Sequence, residues 1–202
     1  MKKLTSIYIV AFLLTMGCSV NAKDSNSKNS KINTTTQAYQ WYDGSKQKTV
    51  YLDETMIADF NPQSVATTKA AHNSNLSAAK TINGTRLWKL TSGSSKSALN
   101  SIKSKNQAGS YSPVFRTSQG GQMRALPGSI IVQFASDWDE SKIRQWTVEN
   151  GQTISSKASF GTNFYILTSP AGLASLEIAN RLYETGDVLL ATPNWWVERH
   201  VR

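Results

Sequence analysis

The second half of the chain alternates strand-like and helix-like segments in a fixed order, and this order limits the folds that it can adopt. Ile130–Phe134 and Asn163–Thr168 are short apolar runs that predict strands. Between them, Asp137 as N-cap and Glu140 as its capping-box partner predict the start of a helix. Gly151 is a natural end for that helix.

An apolar stripe at helical spacing predicts a second helix, which ends at Gly186. The stripe consists of Leu173, Leu176, Ala179 and Tyr183, with Leu182 beside them. Strands over Gln152–Ser159 and Val188–Ala191 complete the order β-α-β-β-α-β. We therefore predict an α+β fold in which residues 123–197 form a ferredoxin-like, four-stranded antiparallel sheet with two helices on one face.

Residues 39–121 are predicted to form a β-rich accessory region, and one interpretation of its pattern is a weak repeat of the second half. Met56–Phe60 matches Ile130–Phe134, Arg86–Thr91 matches Asn163–Thr168, Ser97–Lys103 matches the second helix, and Tyr111–Phe115 matches Thr192–Trp196. The alternative is an irregular β-rich segment that extends the sheet of the second half.

The N-terminus predicts export from the cytoplasm. A basic start is followed by an apolar run, Leu4 to Met16, that is too short to span a bilayer, so residues 1–22 match a secretory signal peptide. Cleavage after Ala22 competes with a lipobox-like sequence that would lipidate Cys18. The protein is then periplasmic, an outer-membrane lipoprotein or secreted, in a bacterium. Residues 23–38 are polar and predict a flexible tether.

The composition argues against an enzyme. The 202 residues include one Cys and two His, and no Gly-rich phosphate loop, so we predict no intrachain disulfide, no metal and no cofactor. The net charge is +9. The lysines of the chain lie among Ser, Thr and Asn instead of clustering with aromatic residues. This distribution predicts a solvated surface and no nucleic-acid partner.

Several segments of the second half together resemble the N-terminal prodomain of subtilisin-like serine proteases, particularly of the fervidolysin type. They are Leu126-Pro-Gly-Ser-Ile-Ile-Val-Gln-Phe134, the two predicted helices, Phe164–Thr168 and Val188-Leu-Leu-Ala-Thr-Pro-Asn194. The resemblance assigns residues 122–202 to a prodomain-like domain with a C-terminal tail. In that family, the exposed face of the sheet lies on two helices of the protease and the tail runs through the active-site cleft.

The resemblance also implies which residues bind the protease. Thr192 and Asn194 fall where many of these prodomains carry carboxylates that cap helices of the enzyme, although this chain has no carboxylate there. Trp195 and Trp196 begin the tail, and the cleft would receive Glu198, Arg199, His200, Val201 and Arg202. The alternative is that the tryptophans are edge-strand residues that pack on the chain's own core. Because adjacent strand residues face opposite ways, we expect at most one of them to serve each role.

No segment resembles the Asp, His and Ser motifs of a subtilase catalytic domain. We therefore expect a stand-alone, prodomain-like protein that inhibits a subtilisin-like protease, assists its folding, or does both. One alternative is the N-terminal propeptide of a larger secreted subtilase that has been cut short. Another is a binding module anchored to the surface through Cys18.

Overall fold

The computed structural model describes residues 37–61, 75–104 and 109–199, which belong to one compact unit. The signal peptide, Cys18, both histidines, most of the polar tether and residues 200–202 lie outside the described residues.

Two antiparallel sheets and three helices make up the described part of the chain, which is an α+β fold. The strands are β1 (Ala38–Asp43), β2 (Lys46–Asp59), β3 (Leu76–Ile82), β4 (Thr85–Leu90), β5 (Tyr111–Arg116), β6 (Met123–Ala125), β7 (Ser129–Gln133), β8 (Ile154–Lys157), β9 (Phe164–Thr168), β10 (Leu190–Pro193) and β11 (Trp196–Val197). The helices are α1 (Ser95–Ser104), α2 (Glu140–Glu149) and α3 (Leu173–Glu184).

The small sheet has four strands in the order β10-β7-β9-β8, and the chain runs through it as β7-α2-β8-β9-α3-β10. Successive side chains of each strand point to opposite faces of the sheet, so every second side chain faces the helices. One cluster contains buried residues from β7, β9 and β10 together with those of α2 and α3. Both helices therefore pack on the same face of this sheet.

Helix α2 begins two residues later than the sequence predicts. Asp139 is its N-cap, and the Asp139 side chain accepts a hydrogen bond of 2.8 Å from the backbone N–H of Lys142. Asp137 lies in the preceding turn. The predicted cap was wrong: Asp139, two residues after Asp137, has the extended backbone that a cap needs and makes the capping hydrogen bond.

The large sheet has seven strands, with the order β11-β6-β5-β2-β4-β3 and β1 paired to β2. The β-rich prediction for the first half is thus confirmed. The first half does not extend the small sheet; instead, β6 and β11 from the second half join the large sheet. Residues 39–121 and 122–202 therefore share a sheet.

The two sheets have related strand orders. Strands β2 to β5 lie in the order β5-β2-β4-β3, and strands β7 to β10 lie in the order β10-β7-β9-β8. In each set of four, the order across the sheet is therefore fourth, first, third and second strand of the set. The registers agree as well, since Ile57 pairs with Trp88 and Pro113 just as Ile130 pairs with Leu167 and Pro193. In both sheets the pairing of the second strand with the third is shifted by one residue. Helix α1, between β4 and β5, packs on Ile57 and Trp88 through Ile102.

The large sheet curls until its two edges approach each other. Strands β3 and β11 lie at opposite ends of the strand order, yet Lys80 Nζ on β3 is 2.5 Å from Glu198 Oε1, directly after β11. The concave side holds a buried cluster of Met56, Ala58, Leu87, Val114, Met123 and Ala125. Ile82 of β3 and Trp196 of β11 pack against this same cluster, so both edges help to enclose it.

Helix α3 lies between the two sheets. Leu176 and Leu173 pack with Trp41 and Phe115 of the large sheet, while Leu182 belongs to the core of the small sheet. Polar contacts add to this junction: Asn180 Nδ2 donates to the carbonyl of Gln40, and the rings of Tyr42 and Tyr183 lie 4.4 Å apart.

Candidate functional site: the open face of the small sheet

The face of the small sheet opposite α2 and α3 is the candidate site, and we call it the open face. Its residues are Ser129, Ile131 and Gln133 of β7, Ser156 of β8, Phe164, Ile166 and Thr168 of β9, and Leu190 and Thr192 of β10. Their neighbours in sequence Ile130, Val132, Tyr165, Leu167 and Ala191 point into the helix-covered core. The alternation of a strand thus fixes which side chains form the open face.

None of these described positions carries a charged residue. A sheet face that only contacts water normally reads as polar and charged. Here Ile131, Ile166, Phe164 and Leu190 are half-buried apolar side chains on that face. The other five positions are polar but uncharged, so the face lacks the charged residues of an ordinary solvated sheet surface.

The apolar character continues beyond one end of the open face. Phe160, in the loop between β8 and β9, is 53% exposed and its ring lies 5.3 Å from that of Phe164. Leu189 precedes β10 and is 56% exposed. Its backbone N–H donates to the carbonyl of Gln133, which places it beside the same end of the sheet.

The other end of the open face is polar but uncharged. The backbone N–H of Asn194 donates to the carbonyl of Ser129 over 2.9 Å, and Asn194 Nδ2 donates to Ser129 Oγ over 3.0 Å. Within the described part of the chain, Thr192 Oγ1 is buried without a hydrogen-bond partner. Thr192 and Asn194, which the resemblance assigns to protease binding, thus lie at one border of the open face.

The two tryptophans of the predicted tail are packed on the chain itself. The Trp195 ring lies 5.5 Å from that of Trp41 and 5.6 Å from that of Phe115. Trp196 pairs with Ala125 and packs against the closed side of the large sheet. The structure therefore has both tryptophans in the chain's own packing, and their role in protease binding remains a prediction.

The remaining tail residues divide at Glu198. Glu198 is only 6% exposed, and it contacts Lys80 as described above. Arg199 is exposed. His200, Val201 and Arg202 lie outside the described residues, as does Cys18.

The acidic groups with shifted pKa values lie in the large sheet, away from the open face. Burial alone would raise the pKa of Asp53, but hydrogen bonds from Thr55 and Arg116 outweigh burial and lower it. Burial raises the pKa of Asp59, whose Oδ1 accepts from the backbone N–H of Asn61. Asp53 is paired with Arg116, and the described residues contain no group of three potential metal ligands.

Sequence reasoning did not name the apolar residues of the open face. A signal for them was present, because Ile130–Val132 and Phe164–Leu167 are apolar at consecutive positions. A strand that is apolar on both sides is buried on both faces or binds something on the second face. The alternation expected of a half-solvated strand is missing at these positions.

Comparisons with known proteins found no matching family model, no similar curated protein and no similar solved structure. Among the described residues, no helix is both long enough and apolar enough to cross a membrane.

Proposed function

We propose that this chain is an exported, prodomain-like protein that binds a subtilisin-like serine protease in trans, inhibiting it, assisting its folding, or doing both. The observation that carries the proposal is the open face, which is uncharged and partly apolar. Helices α2 and α3 pack on the other face of the same sheet. A specific interface of standard size buries on the order of 800 Å² on each partner.

The finer proposal for the fold is a ferredoxin-like unit over β7 to β10. It is supported by the element order β-α-β-β-α-β and by the strand order β10-β7-β9-β8. The related order β5-β2-β4-β3, with α1 before β5, supports a second, modified copy in the large sheet. On this proposal, only the second copy offers its sheet face to a partner.

Inhibition and folding assistance follow from the same contacts. A partner that binds the folded protease and not its unfolded chain stabilises the folded state, by roughly 2.7 kcal/mol at a free concentration a hundredfold above Kd. A tail that enters the cleft as an extended strand adds main-chain hydrogen bonds and blocks substrates. Arg199 is the one exposed residue among the predicted tail residues that the structure describes.

The test is a titration of the purified protein against a panel of subtilisin-like proteases, followed over hours. We expect stoichiometric inhibition of at least one enzyme, and a decay of inhibition would show that the protein is consumed as a substrate. A chain that is folded by circular dichroism but inhibits and binds no member of the panel would contradict the proposal.

Export is tested separately. Mass spectrometry of the protein recovered from a bacterial host distinguishes a free N-terminus at Lys23 from a lipidated Cys18. An intact N-terminus at Met1 in cytoplasmic protein would contradict both forms of export.

A further inference from the structure

The segment after Asn194 leaves the small sheet and ends on the large one. Strand β11 has two residues, Trp196 and Val197, which pair with Ala125 and Arg124 of β6. Glu198 continues this contact, since its backbone N–H donates to the carbonyl of Met123 over 3.0 Å. We call Trp196–Glu198 the strap.

Two side chains also hold Glu198, the last residue of the strap. Lys80 of β3 reaches across to Glu198 Oε1, and Gln122 Nε2 donates to the carbonyl of Glu198 over 3.0 Å. The main chain of the strap is therefore paired with β6 along one edge, and Glu198 is held in addition by Lys80 and Gln122. The backbone groups that pair with β6 cannot pair along a protease cleft at the same time, because each backbone group serves one strand pairing.

The seat of the strap, which is the surface of β6 and its neighbours that the strap packs against, contains buried polar groups without hydrogen-bond partners among the described residues. Trp196 Nε1 and Arg124 Nε are buried without a hydrogen-bond partner among the described residues. Because most buried donors in folded proteins find partners, such a group of unpartnered donors weakens the seat relative to an ordinary strand pair.

The residues before the strap are held more firmly. Asn194 makes two hydrogen bonds to Ser129, and Trp195 packs edge-on against the rings of Trp41 and Phe115. Asn194 and Trp195 thus form an anchor on which the strap can pivot.

We propose that the strap is released from β6 when a protease binds the open face, so that the tail is sequestered in the free protein and delivered in the complex. This inference rests on the proposed function. Release adds three residues, about 10 Å, to the extended reach of the tail. It also frees the main-chain groups of the strap for pairing in the cleft.

The first test measures strap opening in the free protein, without any protease. Hydrogen exchange should be roughly a hundredfold faster or more at the amides of the strap than at those of Ile130–Val132. The strap amides need only local opening to exchange, whereas the amides of Ile130–Val132 lie in the centre of the small sheet. Glu198→Gln should speed exchange in the strap further. Glu140→Gln, which removes the exposed ion pair with Arg144, is the matched control and should leave the strap unchanged.

The second test locks the strap with a disulfide. Arg124 and Val197 are cross-strand partners, so Arg124→Cys with Val197→Cys, in a Cys18→Ser background, places two thiols in range for a bond. The oxidised protein should inhibit at least about tenfold less well than its reduced form, because a locked tail cannot enter the cleft. Equal inhibition by both forms would overturn the inference.

The two tests separate failure of the strap from failure of the proposed function. If neither redox form binds any protease, the proposed function is wrong, and the exchange rates still decide whether the strap opens. If the strap amides exchange as slowly as those of Ile130–Val132, the strap is a fixed strand and the inference is wrong, whatever the protein binds.

Discussion

Four strands of the large sheet have the same order as the four strands of the small sheet, but the corresponding faces of the two sheets differ in how far they are buried. In the large sheet, Leu87 lies on a side that the curled edges enclose, and it is fully buried. At the corresponding register position in the small sheet, Ile166 lies on the open face and is half-buried. The same arrangement of strands therefore yields a closed core where neighbouring strands fold over it and a partly exposed face where they do not.

The largest expected effect contrasts these two positions. Leu87→Ala should cost about 2–5 kcal/mol of the free energy of unfolding, because it leaves a cavity in a closed cluster. Ile166→Ala should cost about 1 kcal/mol or less, since the open face has little packing to lose. Urea denaturation of both variants measures the difference.

The outcome that breaks this comparison is an equal cost at the two positions. Equal costs would mean that the face around Ile166 is packed as tightly as the closed side of the large sheet. The open face would then be no surface for a partner.

A smaller effect concerns how the large sheet keeps its shape. Arg116 Nε donates to Asp53 Oδ2 over 2.7 Å and Arg116 Nη1 donates to the carbonyl of Gly121, which ties β2, β5 and the turn before β6 together. Asp53→Asn should cost about 1–3 kcal/mol at pH 7, as expected for hydrogen bonds to a charged group.

The pH dependence of this effect has a definite sign. Because the pKa of Asp53 is lower in the folded protein than in the unfolded chain, its contribution is complete above an unfolded value of about 3.9 and is lost as the pH falls through the folded value. The difference between wild type and Asp53→Asn should shrink on acidification. A difference that stays constant down to pH 2 would contradict the role of the carboxylate.

The smallest expected effect lies in the small sheet's first helix. Asp139→Ala should cost about 1 kcal/mol, because it removes the side-chain acceptor at the N-terminus of α2. Asp137→Ala is the matched control and should cost less than about 0.5 kcal/mol. Thermal unfolding of the two variants ranks them, and a larger loss for Asp137→Ala would restore the cap that the sequence favoured.

The sequence predicts the small sheet well because its signals are local. Apolar runs, stripes at helical spacing, and Gly151 and Gly186 mark the elements of residues 129–193, and the observed bounds differ by a few residues. The cap of α2 was not predicted correctly, since the choice between Asp137 and Asp139 depends on the backbone conformation and not on a local sequence pattern.

The large sheet and the tail could not be predicted in this way. The contact between Lys80 and Glu198 joins residues 118 positions apart, and no pattern near either residue announces it. Trp195 and Trp196 read equally well as tail or as core, because their packing depends on the pairing of β11 with β6 and on contacts with distant residues such as Trp41 and Phe115. Long-range pairing is what sequence periodicity does not encode.

The most direct test of the central claim places a charge on the open face. Ile166→Lys should leave the protein folded and weaken inhibition of its protease at least about a hundredfold, because the complex would bury an unpaired charge. Val148→Lys, at a 75% exposed apolar position on α2, is the matched control and should inhibit like the wild type. If Ile166→Lys inhibits as well as Val148→Lys, the open face is not the docking surface.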